Sequence, residues 1–503
     1  MGIKHYYSWF RKHKTLKKSI STSVPSEVDH LLIDMNGVIH EAAQRVFKYG
    51  KYAPQKQSSI IIPKRRLKKA PAAPKQVSMK DLYACVKVEV NRLVDIAQPR
   101  KTVFLAIDGV APMSKQNQQR QRRFRAAKER AERGGDKDAF DSACITAGTE
   151  FMWELSQSLF NDEGQWLVTK NPARVIISDD SSPGEGEHKL MEWARDHDDL
   201  DGAYCVAGMD ADLILLCCLL PKTHVYIMRE NEHREYDYID INRVRQDLPV
   251  TPDDLLIWSC FIGNDFLPPV PSLEIKESQP ETGALDFLFE NYKRPLVDKS
   301  TGYLKIGEIT RLLALVSNRE QAIMEARQQE EDLNEDDFNK RFPNPLWEGD
   351  IEKYRKDYIE QKLRKYWTKP DSFRERDVVH DFLKTVQWVY LYYTKGIRAT
   401  NSWEWFFPYN YSVHASLFVE HAPPFISFGF KKSKPSHPDE QLLRVIPPSS
   451  KYLIPSYLHA HVDRLAEKYT LFEIDRAGKR QEWEATTIVD FVELGGIVAR
   501  ERK

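Results

Sequence analysis

The chain has 503 residues and a mass of 58.6 kDa, long enough for two to four structural units around a sizeable core. Lys and Arg together number 74, and so do Asp and Glu, so attraction to a polyanion must come from local patches rather than from net charge. A hydrophobic share of 41% excludes wholesale disorder. The longest apolar run, "LILLCCLL" at 213–220, falls far short of the roughly 18 residues that a membrane span needs.

The opening "MGIKHYYSWFRKHK" has no apolar signal-peptide core, and Tyr6 stands where a myristoylation motif requires Ser or Thr. The six cysteines include no CxxC pair and several sit in apolar runs. We therefore expect a soluble protein of a reducing, cytoplasmic compartment, without disulfides or a zinc site. The basic run "KRRLKK" (64–69) leaves a nuclear location open, because it reads equally as a nuclear signal or as an RNA-tracking patch.

Short β-branched runs recur through the first half: "HLLID" to Asp34, "TVFLAID" to Asp108, "ARVIISD" to Asp179 and "AYCVAGMD" to Asp210, each followed by a helical pattern. Continuous apolar strands alternating with helices predict an α/β fold with a mostly parallel central sheet flanked by helices. Ligands of such sheets bind beyond the carboxyl ends of the strands, where this sequence repeatedly puts a carboxylate. The stretch 50–79, rich in Pro, Lys and Ala, reads as a basic insertion. The acidic 321–350 reads as a flexible linker between an N-terminal part (1–320) and a helical, aromatic-rich part (351–503).

Seven acids stand where an apolar run meets a turn or a helix start: Asp34, Asp108, Glu185, Glu187, Asp210, Asp212 and Asp265. Taken singly, each is an ordinary turn former or helix cap. Taken together, they form an oxygen-only cluster suited to Mg²⁺ or Mn²⁺, and two such ions about 4 Å apart stabilise both the attacking and leaving oxygens of a phosphodiester. Asp179 and Asp180 serve as a control, since they precede Ser-Ser-Pro and need do no more than cap a turn.

Behind Asp108, "MSKQNQQRQRRFRAAKER" predicts a helix that Ser114 caps and that starts near Lys115. At about 100° per residue, Lys115, Gln119, Arg122 and Arg123 share one quadrant of its surface, near a helix N-terminus that favours phosphate. The other reading of that face is a solvated basic surface.

"DGVAPMSKQNQQRQRRFRAAKE", "CITAGTEFM", "PGEGEHK", "DADLILL", "FIGNDFLP" and "MNGVIH" together resemble the XRN family of 5′→3′ exoribonucleases. The likeness returns after the acidic stretch in "YRKDYIEQKL", "VQWVYLYYTKG" and "SWEWFFPYNY". The resemblance implies a core like that of the PIN and flap nucleases. It also implies processive, Mg²⁺-dependent hydrolysis of 5′-monophosphorylated single-stranded RNA to nucleoside monophosphates, by two-metal chemistry, in RNA decay. The same seven acids would ligate the metal, and Lys115, Gln119, Arg122 and Arg123 would hold the 5′-phosphate. His40 would stack on the first nucleotides, with Trp403 or Trp405 doing similar work. The 50–79 insertion and "PYNYS" depart from the family pattern, and the length implies a minimal core, a divergent or viral version. A flap-endonuclease-like DNA nuclease and a catalytically inactive RNA 5′-end-binding protein remain the alternatives.

Overall fold

The computed structural model describes residues 2–25, 27–53, 78–132, 140–160, 166–171, 173–197, 201–276, 283–331, 341–367, 372–427, 429–468, 471–492 and 494. A seven-stranded sheet forms its centre, in the order β1-β7-β6-β5-β2-β3-β4. The strands are β1 (Ile20–Ser21), β2 (His30–Asp34), β3 (Thr102–Ala106), β4 (Arg174–Ser178), β5 (Tyr204–Ala207), β6 (Val225–Glu230) and β7 (Tyr236–Asp240). Strands β2 to β6 run parallel; β7 and β1 close one edge antiparallel.

The expected α/β class is therefore observed, and the strand order explains where the site lies. β2 is flanked by β3 on one side and β5 on the other, so consecutive crossovers leave it in opposite directions. A crevice opens at its carboxyl end, where Asp34 sits.

The sheet is buried on both faces because its strands are apolar on both. Leu31 and Ile33 point into one core with α2 (Met35–Phe47) and α3 (Met79–Ala97). Leu32 points into the other, which continues without a break into the second half of the chain and includes Trp388 and Tyr392. The remaining N-terminal helices are α1 (Tyr6–Lys12), α4 (Met113–Glu132), α5 (Glu150–Phe160), α6 (Gly186–Asp196), α7 (Leu213–Cys218), α8 (Ile241–Asp247) and α9 (Pro252–Ile262). The second half is helical: α10 (Ala284–Asn291), α11 (Ile306–Ser317), α12 (Glu320–Glu331), α13 (Ile351–Tyr358), α14 (Glu375–Lys395), α15 (Ile397–Thr400), α16 (Ala415–His421), α17 (Pro438–Val445) and α18 (His459–Lys468). A small hairpin, β8 (Phe472–Asp475) with β9 (Thr486–Val489), follows.

The structure differs from the expected 321–350 linker. Its first residues form α12, with Ile323, Met324 and Arg327 buried, and Arg341, Leu346 and Trp347 are buried after it. Among the described residues of the stretch, Glu330 is paired inside: Arg341 binds it and also donates to Glu274 at 2.9 Å, and Arg480 binds it at 2.6 Å. Residues 332–340 lie outside the described residues, as do 54–77 of the basic insertion, "KRRLKK" among them.

Burial opposes the charge on Glu274, yet Arg327 and Arg341 beside it hold its carboxyl well below the ordinary range. Arg341→Ala should therefore cost about 1.5–3 kcal/mol, because it takes one of two arginine partners from buried Glu330 and from partly buried Glu274. Urea unfolding of the variant against wild type measures this.

Candidate active site

Each acid of the cluster is placed by the end of a secondary-structure element. Asp34 ends β2 and caps α2, accepting from Asn36 N at 3.2 Å. Asp108 lies two residues past β3, Glu185 and Asp212 are the N-cap residues of α6 and α7, and Asp265 follows α9.

Asn36 ties the first pair together: its side-chain amide donates to Asp108 Oδ2 while its carbonyl accepts from Asp108 N at 3.2 Å. Gly186 N donates to the other oxygen of Asp108 at 2.6 Å. A Cβ on Gly186 would meet Ala106 O at 2.8 Å and Asp34 Oδ1 at 3.1 Å, so only glycine lets α6 start this close to both acids. In a second group, the Lys115 ammonium bridges Glu185 Oε2 at 2.5 Å and Asp265 Oδ2 at 2.8 Å. In a third, Glu187, Asp210 and Asp212 each bring a carboxylate oxygen within 4.8 Å of the others.

All seven acids thus gather at one end of the sheet, and for Asp34, Glu185, Glu187 and Asp212 burial makes the charge costly. Burial, with Asp210 and Asp265 nearby, pushes the Asp212 carboxyl up to about 6. Burial, with Asp108 nearby, pushes Glu185 up to about 7, despite Lys115. Asp34 and Glu187 are raised too, by burial first and by neighbouring carboxylates second. Burial alone would strip the Lys115 proton, but Asp265, Glu185, Glu187 and Asp212 hold it firmly.

Two buried oxygens, Glu187 Oε2 and Asp212 Oδ1, have no hydrogen-bond partner among the described residues. Such atoms are expensive unless something binds them. Their chemistry is oxygen-only and anionic, which fits a hard divalent cation. The control pair behaves otherwise: Asp179 accepts from Ser181 next to it in the turn, and Asp180 accepts from Ser156 Oγ on α5 at 2.9 Å.

The basic helix also differs from expectation. It starts at Met113, and Ser114 does not cap it: the Ser114 hydroxyl is buried without a partner, and Met113 N donates instead to Trp403 O at 2.7 Å. A carbonyl from the second half thus orients the first turn. Lys115 turns toward the acids, away from the rest of its expected quartet. Arg123 donates to Ile145 O at 3.2 Å, but its Nη1 and Gln119 Oε1 are buried without partners. Burial and the adjacent Arg122 disfavour the charge on Arg123, and neither arginine has a carboxylate partner among the described residues. His40, on α2, is held neutral down to about 4 by burial and by these two arginines.

Of the tryptophans, Trp405 is engaged as core: its Nε1 donates to Thr385 Oγ1 at 3.1 Å, Lys384 lies over its ring and Phe430 meets it edge-on. Trp403 is half-buried beside the start of α4.

Reading the sequence alone did not assign roles to Asn36, Gly186, His188, Lys189, Tyr392 or Tyr393. Lys189 Nζ donates to Ile107 O and Asp179 O, both at 2.8 Å, holding the loop that carries Asp108. Two adjacent tyrosines inside an apolar helical run were the available signal, since buried hydroxyls require partners.

Two family models cover nearly the whole chain: one described as "XRN 5'-3' exonuclease N-terminus" matches residues 1–231, and one described as "Xrn1 helical domain" matches 246–344 and 345–502. Human "5'-3' exoribonuclease 1" is 26% identical over 98% of this chain and 33% of its own length. The Schizosaccharomyces pombe protein of that name is 24% identical over 98% and 48%. Chicken "5'-3' exoribonuclease 2" is 27% identical over 98% and 69%. The chain thus spans a third to a half of the first two relatives. Among solved structures, the catalytic core of Rad2 with DNA aligns with a TM-score of 0.36 at 15% identity, covering 76% of this chain and 95% of that one. Flap endonuclease-1 from Methanococcus jannaschii gives 0.27 at 16%, covering 54% and 78%. With both models matching in order along the sequence, the chain belongs to the XRN family of 5′→3′ exonucleases.

Proposed function

We propose that this chain is a processive 5′→3′ exoribonuclease that takes 5′-monophosphorylated single-stranded RNA and releases nucleoside monophosphates, with Mg²⁺ or Mn²⁺, two ions together, at the acid cluster. The observation that carries this reading is a juxtaposition. Buried acids with oxygens that have no partner among the described residues lie beside two adjacent arginines that pair with no carboxylate among them. One half of the site calls for cations and the other for an anion.

Glu187, Asp210 and Asp212 would hold one ion, with Asp34, Asp108, Glu185 and Asp265 available around it. Bound divalent ions supply an activated water and charge neutralisation at the scissile phosphate. The residues of the chain do the rest. Arg122, Arg123 and Gln119 offer donors to a terminal phosphate, which carries more charge than an internal phosphodiester. Neutral His40, beside Arg122 and Arg123, presents an uncharged ring to the first base, and Trp403 offers a second flat surface. Lys115 neutralises Glu185 and Asp265 and lies near enough to Asp212 and Glu187 to feel both, so it joins the phosphate side to the acid side.

Asp210→Asn or Asp212→Asn should abolish hydrolysis and leave the chain folded and able to bind RNA. Gel-based decay and filter binding on the same preparations check both halves of that statement.

Arg122→Ala should lower kcat/KM on 5′-monophosphate RNA by about ten- to a thousand-fold, given roughly 1.5–3 kcal/mol for each charge-assisted hydrogen bond lost. The slower rate on 5′-hydroxyl RNA of identical sequence should hardly change. Equal losses on both would make α4 a general RNA-binding face. Degradation of flap DNA in preference to either RNA would overturn the substrate assignment.

Acids whose folded pKa is raised bind more protons folded than unfolded, so they reduce stability as pH rises. Without divalent cation, the melting temperature should fall as pH rises from about 4 through 7, the interval between the ordinary Glu value and that of Glu185 in the fold. Glu187→Gln should fall less over the same interval. Millimolar Mg²⁺ should restore wild type at pH 8 and help least near pH 5, where protons compete for the same oxygens. Thermal melts with and without EDTA across that range give the answer.

A further inference from the structure

Helix α14 comes from the second half of the chain, yet two of its side chains reach into the acid cluster. Tyr392 donates its phenol to Glu185 Oε1 at 2.9 Å, and Tyr393 donates to Asp212 Oδ2 at 3.4 Å. Both tyrosines are buried, at 1% and 2% exposure, so phenylalanine would fill the same space. A buried hydroxyl without a partner is costly, and these two bond acids of the cluster.

Each contact occupies one oxygen of its carboxylate. Glu185 is then held between Tyr392 on one oxygen and Lys115 on the other. On Asp212 the second oxygen is the unpartnered one, in the group it shares with Glu187 and Asp210. The terminal torsion of a carboxylate is broad and two-fold, so a donor on one oxygen decides where the other points.

The phenols are themselves fixed. His188 stacks on Tyr392 with ring centres 3.7 Å apart and meets Tyr393 edge-on at 5.1 Å, and Phe266, next to Asp265, meets both edge-on. Arg195 holds the Tyr393 carbonyl at 3.2 Å.

We propose that Tyr392 and Tyr393 are positioning residues for a divalent cation, Tyr393 by turning the free oxygen of Asp212 toward it and Tyr392 by fixing Glu185 beside it, so that the helical half of the chain completes the cation site of the sheet. This rests on the cation site of the proposed function, not on its RNA specificity.

The test uses the full chain and three variants: Tyr392→Phe, Tyr393→Phe and Tyr390→Phe. Tyr390 is on the same helix and donates to Asp253 Oδ1 at 3.0 Å, away from the cluster, so its variant controls for loss of a buried hydroxyl. Calorimetric titration with Mn²⁺, without RNA, should show about ten-fold weaker binding for Tyr392→Phe and Tyr393→Phe and unchanged binding for Tyr390→Phe. Hydrolysis of 5′-monophosphate RNA by the first two should recover toward wild type as Mn²⁺ is raised, which a general folding defect would not do. Affinities for Mn²⁺ equal to that of Tyr390→Phe would overturn the assignment. Wild type that binds Mn²⁺ but leaves RNA intact would overturn the exoribonuclease reading alone, and the calorimetric contrast would still decide the role of the tyrosines.

Discussion

Mutual repulsion among buried carboxylates is the constraint on which the rest of this structure depends. Asp34 and Asp108 lie beside the two central parallel strands, and α6, α7 and the turn after α9 add five more acids. Water screens such a group poorly once it is buried, and the raised Glu185 and Asp212 show how unwelcome the charge is. Around the cluster, nearly every polar contact offsets that repulsion: Asn36 and the Gly186 amide on Asp108, Lys115 between Glu185 and Asp265, two phenols on Glu185 and Asp212. What those donors leave uncovered is narrow, one oxygen each on Glu187 and Asp212.

The two halves of the chain cannot be understood as a catalytic part and an appendage. The core on one face of the sheet runs into α14 and α16 without a boundary. The first turn of the basic helix is oriented by the Trp403 carbonyl, and the middle of that helix by α17, where Arg120 donates to Arg444 O at 2.7 Å. An orphan backbone N–H at a helix start needs an acceptor, and here a carbonyl from the second half of the chain supplies it in place of a side-chain cap.

Sequence alone determined the α/β class and the mostly parallel sheet, and it drew attention to the acids that the fold gathers at one end, because each rests on a local signal. Apolar runs of five residues specify buried strands, and carboxylates just beyond them follow the geometry of such sheets. Asp179 was separable from the rest for the same reason, since Ser181 lies within reach along the chain, whereas Asp180 is bonded by Ser156 from α5. Tertiary structure decided what local signals could not. The acidic 321–350 reads as a flexible linker, yet its described flanks are packed, with Glu330 paired to Arg341 and to Arg480, which lies 150 residues away. Helical angle put Lys115 on one face with Gln119, Arg122 and Arg123, but angle fixes only direction, and its ion pairs with Asp265 and Glu185 come from segments distant along the chain. Likewise the two tyrosines of α14 had hydroxyls that needed partners. Only the packing of that helix against the sheet showed that the partners are acids of the cluster, because a hydrogen bond is settled by distance in space and the sequence records distance along the chain.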